Sequence, residues 1–329
     1  MRSLLALAGM DTESPTGVSV VGSVHMDVVA TAERLPAAGE SVVGHRMALS
    51  PGGKAGNQAA QAALNGARTF LIGRVGRDVF GDQLRAALAR TGVDTTYLTV
   101  DAQDATGISP IFTGADGEYA SIIVPGAGQR LQPEDIEAAR DAFARSAVLL
   151  IQGEIPIQLS AHAARLARSL GGRVIFNASP VPADAAAIPD ALWSDVDVLL
   201  VNGTEAERLS GMSVADVPAA VIAAEALQRQ FGIPTIVMTL GGRGAIAVDE
   251  RGSRHLPSWP VPVVETIGAG DAFAGVLASE LARGRHLAKA LPPANAAGAL
   301  AVTRPGAYVS LPTGAQIRAF LIERQRAES

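Results

Sequence analysis

The chain of 329 residues reads as an α/β protein: a doubly wound, mostly parallel sheet flanked by helices, carrying a small β-sheet lid. Three observations predict this. Short uninterrupted apolar runs recur along the chain, as strands buried on both faces require. Helical stretches rich in Ala and Leu separate most of them, and those stretches stop at glycine-containing turns suited to left-handed helix ends. With 48% hydrophobic and 18% charged residues, the chain holds enough apolar material for one large core.

In chain order, strands are expected at Val18–Val21, Thr69–Ile72, Ala147–Gln152, Val174–Asn177, Val198–Asn202, Thr235–Leu240 and Ala245–Val248. Helices at Ala59–Leu64, Gln83–Arg90 and Ala161–Leu170 run into Asn65-Gly66, Thr91-Gly92 and Gly171-Gly172, and a further helical run covers Asp271 to Leu281. Two segments break the rhythm, Glu40–Ser50 and Ile108–Val124, the second with an Asp116-Gly117 turn between strand-like arms. Both read as parts of one flap inserted early in the main fold. The expected division is a main domain over residues 16–329, a lid drawn from about 36–50 and 106–125, and a flexible tail over 1–15. Met1 to Met10 briefly mimics a signal peptide, but its apolar stretch is short and Asp11-Thr12-Glu13-Ser14-Pro15 follows directly. No apolar run approaches the roughly 18 residues of a membrane span, so no membrane partner is expected.

A net charge of −5 provides no basic field for nucleic acid, so bound phosphate would have to be held by local backbone dipoles and a few cations. There is no cysteine, which excludes a disulfide framework, a thiolate nucleophile and Cys-ligated zinc, and fits a reducing, cytoplasmic setting. The five histidines, at 25, 45, 162, 255 and 286, show no H-x-x-x-H spacing.

Gly268-Ala269-Gly270-Asp271 sets a glycine-rich turn against a carboxylate that opens a helix. Glycines let backbone approach a phosphate, the first helical amides lack intrahelical partners, and the dipole favours an anion there. Phosphoryl chemistry would place Asp271 beside the transferring group; plain helix capping is the bland alternative. Asp27, in Gly22-Ser23-Val24-His25-Met26-Asp27, follows the first strand at the edge where open α/β sheets bind ligands, although a turn or cap residue would look the same. Neither G-x-G-x-x-G in that position nor a P-loop anywhere is present. Gly52-Gly53-Lys54 with Asn57 forms another glycine loop feeding a helix, able to grip polyol hydroxyls or to be a tight turn with a solvated lysine. Glu154 and the pair Asn202 and Glu205 also stand just beyond apolar strands. Thr239-Leu240-Gly241-Gly242-Arg243-Gly244 reads first as a hairpin and second as a surface for a nucleotide.

In this order and separation, Gly-Gly-Lys with Asn-Gln-Ala, Asn-x-x-Glu, Thr-Leu-Gly-x-x-Gly and Gly-Ala-Gly-Asp resemble the ribokinase (PfkB) family of sugar kinases, from about Val18 to Pro312. Ala301-Val302-Thr303-Arg304-Pro305-Gly306-Ala307 resembles the ribokinase branch, as do Thr106-Gly107 and Gly126-Ala127-Gly128. The resemblance implies ATP-dependent phosphorylation of a sugar hydroxyl, with ribose as the expected acceptor. It makes Asp271 the base and Gly268, Ala269 and Gly270 an anion hole. His25, Asp27, Gly53, Lys54, Asn57 and Glu154 would contact the sugar. ATP would be held by Asn202, Thr239, Gly241, Gly244, Gly270 and Asn295, and Mg²⁺ by Glu205 through water. A potassium ion would correspond to Glu265, Ile267, Ala301, Arg304, Gly306 and Ser310, and a homodimer would form through the lid.

Two departures bear on this. His25 stands where the family usually has Asn, and an imidazole cannot reproduce an amide's paired donor and acceptor. Glu265 stands for the usual Asp beside the cation loop, one methylene longer. Other acceptors, namely adenosine or another nucleoside, fructose and 2-keto-3-deoxygluconate, therefore stay open, as does a silent sugar-binding protein of the same fold. Because the helix dipole favours a charged group at its N-terminus, Asp271 is expected to keep an ordinary carboxylate pKa.

Overall fold

The structure, a computed structural model, describes residues 16–115 and 118–328. The expected tail at 1–15 and the Asp116-Gly117 turn lie outside the described residues.

Every apolar run expected as a strand is one: Gly17–Val21, Thr69–Gly76, Ser146–Gln152, Arg173–Asn177, Val198–Asn202, Thr235–Thr239 and Ala245–Asp249. They join in one ten-stranded sheet. From one edge the order is Gly252–Leu256, Ala245–Asp249, Thr235–Thr239, Val198–Asn202, Arg173–Asn177, Ser146–Gln152, Gly17–Val21, Thr69–Gly76 and Val93–Asp94, with Leu98–Asp101 also beside Thr69–Gly76. Pairings are parallel except those of Ala245–Asp249 with its two neighbours.

Successive strand residues point to opposite faces, and two cores result. Val18, Val20, Leu71, Val148 and Leu150 are buried on one side with the helices Lys54–Leu64, Ala269–Ala282 and Leu287–Ala301. Phe70, Ile72, Leu149, Ile151 and Phe176 are buried on the other, with Ile157–Ser169 and Val217–Phe231. Each such side chain contributes roughly 1.5–3 kcal/mol on leaving water, so the strands had to be apolar throughout rather than alternating.

The sheet order changes direction between Gly17–Val21 and Ser146–Gln152, the place where doubly wound sheets open a crevice. Register lines up polar strand ends along the same edge of the sheet, Gln152 opposite Asn177 and Asn202 opposite Thr239. Helix ends are local in origin. Gly66, Gly92 and Gly171 all take positive φ, at 85°, 92° and 85°, as their sequence positions imply.

A second, five-stranded sheet is built from His25–Ala32, Gly44–Gly52, Thr106–Thr113, Tyr119–Ser121 and Val124–Gly126. His25–Ala32 is not among the strands expected from sequence, because its mixed polar pattern reads as an active-edge loop. It is central here, antiparallel to Gly44–Gly52 and parallel to Thr106–Thr113. Among the described residues, no helix is long and apolar enough to cross a membrane.

Candidate active site

Helix Ala269–Ala282 starts at Gly268, whose φ of 83° is left-handed. A β-carbon there would lie 2.7 Å from Ala307 Cα, so glycine is required twice over. The helix opens on Asp271, which is buried together with every residue after it to Ala282. Helix Lys54–Leu64 packs across it, and Gly275 permits the approach: its hypothetical β-carbon would meet Gln58 O at 2.6 Å.

That contact brings Asn57 and Gln58 to Asp271. Asn57 Nδ2 donates to Asp271 Oδ2 at 3.0 Å, and Gln58 Nε2 donates to Oδ1 at 2.9 Å. Gln58 Nε2 also donates to Asn177 Oδ1 at 2.9 Å, while Gln152 Nε2 donates to Gln58 Oε1 at 2.7 Å. Gln58, Gln152 and Asn177 carry no role in the sequence reading. Their signal was modest: polar residues ending apolar strands, and a glutamine beside the Asn57 motif residue.

The expected ordinary pKa of Asp271 is corrected by the structure. Burial pushes its carboxyl up, and the opposing Lys54 charge and amide donors do not restore it. The helix dipole is outweighed because removal from water penalises a charge more strongly than a terminal dipole rewards it. Lys54 behaves in the opposite sense. Burial alone would pull its ammonium down, but the charges of Asp271, Glu154 and Glu205 hold it above its usual value, so it is cationic at neutral pH.

Asp271 and Lys54 line a cavity of about 200 Å³ with Asn177, Asn202, Glu205, Thr239, Gly268 and Gly270. A larger groove of about 710 Å³ runs beside it, lined among others by Thr239, Gly241, Gly244, Trp259, Phe273 and Asn295. The two meet at Asn202, Thr239 and Gly270, which line both. Thr235–Thr239 and Ala245–Asp249 form an antiparallel pair, so the glycine-rich bend at 240–244 is a hairpin turn and a wall of this groove together. Trp259 and Phe273 were not anticipated; no local pattern marks them.

Asn202 and Glu205 form a reciprocal cap on helix Gly203–Ser210: Asn202 Oδ1 accepts from Glu205 N at 2.9 Å, and Glu205 Oε2 accepts from Asn202 N at 2.8 Å. Glu154 accepts from Lys54 N at 2.9 Å and from Ser23 Oγ. Gly53, at φ 85°, sits where a β-carbon would be 2.7 Å from Ser23 O. The neighbouring Gly52 leaves similarly close room for the Asp27 carboxylate. His25 Nε2 lies 3.2 Å from Asp27 Oδ1.

Of the residues expected at a monovalent cation, Glu265 and Gly306 are brought into contact. Val264 N and Glu265 N donate to Val302 O at 2.8 and 3.2 Å, Gly306 N donates to Glu265 Oε2 at 2.9 Å, and buried Ser310 donates to Ala307 O at 2.9 Å. Ala301 is buried, Ile267 and Arg304 are exposed.

Comparison with known proteins identifies the family. A family profile described as pfkB family carbohydrate kinase matches residues 15–314. The chain is 33% identical to the ribokinase of Haemophilus influenzae over 92% of its length and 98% of the relative's. It is 35% identical to the ribokinase of Mus musculus, covering 91% and 93%. The structure of Arabidopsis thaliana ribokinase complexed with ribose and ATP superposes with a TM-score of 0.84 at 29% identity, covering 93% of this chain and 98% of that one. The chain belongs to the pfkB family of carbohydrate kinases, phosphotransferases that act on a sugar hydroxyl.

Proposed function

We propose that the protein transfers the γ-phosphoryl group of ATP to ribose, giving ribose 5-phosphate, with Asp271 as base and the amides of Gly268 to Asp271 as the anion hole. One observation carries the reading: the large groove and the small cavity meet at Gly270, and the carboxylate of Asp271 stands on the small side of that seam. A nucleotide in the groove would bring its terminal phosphate to the helix N-terminus, where the first-turn amides and the dipole favour it. Asn295 donates to Pro257 O at 2.8 Å, which leaves its Oδ1 as an acceptor for a base amino group.

The sugar would occupy the region between Asp271 and the His25–Asp27 pair. A sugar hydroxyl is far less acidic than a carboxylic acid, and each unit of mismatch costs about 1.4 kcal/mol. Proton transfer therefore comes late, as the bond to phosphorus forms and the hydroxyl acidifies. A buried Asp271 with a raised pKa narrows the mismatch. Lys54, held cationic, would meet charge developing on the phosphoryl oxygens. Glu205, beside the same cavity, fits a water-mediated hold on Mg²⁺, which when bound neutralises phosphate charge. The stitched loops 264–268 and 301–310 fit a monovalent cation held mainly by carbonyls, with Glu265 extending its carboxylate toward Gly306.

The second sheet would act as a lid that excludes water from the transfer. Cross-strand register sets His25 and Asp27 on one face beside Ser50 and Ser109, and Met47, Ala30 and Phe112 in a row on the other. Met47 and Phe112 are exposed, and an exposed apolar face of this kind suits pairing of two lids in a homodimer.

The test is initial-rate phosphorylation of ribose, 2-deoxyribose, fructose, 2-keto-3-deoxygluconate and adenosine, with and without potassium. Highest kcat/KM on ribose supports the assignment, and a preference above tenfold for another acceptor replaces ribose while keeping the chemistry. Lack of turnover on every acceptor would favour a silent binding protein.

A further inference from the structure

We infer that Gln58 is a positioning residue that commits one oxygen of Asp271, Oδ1, to acceptance and so directs the substrate proton to the other, Oδ2. The inference rests on Asp271 being the base.

A backbone carbonyl only accepts, and it orients the whole set. Asn177 Nδ2 donates to Leu200 O at 3.2 Å, so Asn177 must turn its Oδ1 to Gln58. Gln58 must then present its amino group, one hydrogen to Asn177 and the other to Asp271 Oδ1, both at 2.9 Å. Its Oε1 is left to accept from Gln152 Nε2 at 2.7 Å. Gln58 and Gln152 are fully buried. Turning the Gln58 amide over would set oxygen against oxygen at both Asn177 and Asp271, and leaving buried polar groups unpaired is costly. The donor at Oδ1 is therefore permanent.

The other oxygen is treated differently. Asn57 Nδ2 donates to Oδ2 at 3.0 Å, but Asn57 Oδ1 is buried and has no hydrogen-bond partner among the described residues. Turning the Asn57 amide over thus sacrifices no bond elsewhere. The same residue can donate to an ionised Oδ2 and accept from a protonated one. One carboxylate is given a fixed acceptor oxygen and an oxygen whose neighbour tolerates both charge states.

In the transfer, the sugar O–H bond breaks and its hydrogen bonds to Oδ2. The electron pair stays on the sugar oxygen as that oxygen bonds to phosphorus, and the phosphorus bond to the departing nucleoside diphosphate breaks with its pair. The charged groups facing Asp271 are Lys54 from helix Lys54–Leu64, Glu154 from the loop after strand Ser146–Gln152, and Glu205 from helix Gly203–Ser210.

The test is the pH profile of kcat at saturating ribose and ATP for the parent, Gln58→Met, Gln58→Glu and Asp271→Asn. Gln58→Met keeps an unbranched chain of similar length and removes the donor. It should lower kcat roughly ten- to hundredfold, the value of a hydrogen bond to a charged group, and move the acid limb to higher pH, because the charged form has lost a partner. KM for ATP should stay within about twofold. Gln58→Glu is isosteric and sets a second carboxyl against Oδ1, so its acid limb should move further still. A Gln58→Met limb superimposed on the parent's, or a uniform loss with an unmoved limb, overturns the positioning role. Should Gln58→Met not fold, an unmoved limb in Gln58→Glu does the same. Asp271→Asn separates the two ideas: turnover within about threefold of the parent removes the base itself, whereas an inactive Asp271→Asn beside an unshifted Gln58→Met removes only the positioning.

Discussion

Gly275 lies so close to Gln58 that a β-carbon on it would stand 2.6 Å from the Gln58 carbonyl oxygen and 2.7 Å from Gln61 Cβ. This crossing of helices Lys54–Leu64 and Ala269–Ala282 is what delivers two amide donors to Asp271. In an isolated helix Gly→Ala gains about 1 kcal/mol. Here the obstructing atom is helix backbone and cannot rotate away, so overpacking of roughly 1–3 kcal/mol outweighs propensity. Gly275→Ala should therefore lower the thermal midpoint and depress kcat more than KM. Calorimetry showing a raised midpoint would refute the contact.

Asp271→Asn should lower kcat by about two orders of magnitude or more without loss of stability. An asparagine can accept from Gln58 and donate to a turned-over Asn57, so both contacts persist. The folded-state pKa of Asp271 is raised by burial. Its contribution to stability is thus fully present below the ordinary Asp value and is lost as pH rises through the raised one. The variant should equal or exceed the parent in thermal midpoint at pH 8, with the gap closing toward pH 5. A variant that melts well below the parent at pH 8 would contradict a penalised carboxylate.

Asp101 behaves in the opposite sense. Its carboxylate accepts from the amides of Gln103 and Asp104 and from Arg130 and Arg74, and its pKa is lowered to about 2. The stability it contributes is present above the unfolded Asp value and is lost as pH falls toward about 2. Asp101→Asn should cost about 1–3 kcal/mol at pH 7, measured by urea unfolding, and the difference from the parent should shrink on acidification.

Glu154 ties the Lys54 backbone to Ser23 and helps keep the Lys54 ammonium charged. Glu154→Gln retains an acceptor for the amide but removes a charge; Glu154→Ala removes both. Steady-state kinetics should show kcat/KM for sugar falling roughly tenfold in the first and further in the second. Equal losses in the two would assign the whole effect to packing.

Met47 and Phe112 stand exposed in one row of the second sheet, in register with Ala30. If two lids pair through that face, Met47→Asp should shift the protein from dimer to monomer in analytical ultracentrifugation. An unchanged sedimentation coefficient in a dimeric parent would move the interface elsewhere.

Sequence by itself determined seven of the ten strands of the main sheet, missing Val93–Asp94, Leu98–Asp101 and Gly252–Leu256, along with the helix stops at Gly66, Gly92 and Gly171 and the glycine-rich junction at Asp271. These depend on patterns a few residues long: an apolar run that needs two covered faces, or a backbone angle that only glycine adopts freely. It also brought Asn202 and Thr239 to one edge, because neighbouring parallel strands deliver their ends to one side. Tertiary structure alone decided the proton environment. Gln58, Gln152 and Asn177 come from three separate elements and meet only when a helix crossing and strand register converge. The pKa of Asp271 likewise depends on water excluded by the whole assembly, and no local dipole rule anticipates its sign. His25–Ala32 became a strand for the same reason: its partners, 44–52 and 106–113, lie far along the chain, and pairing with them overrode a polar pattern that reads locally as a loop.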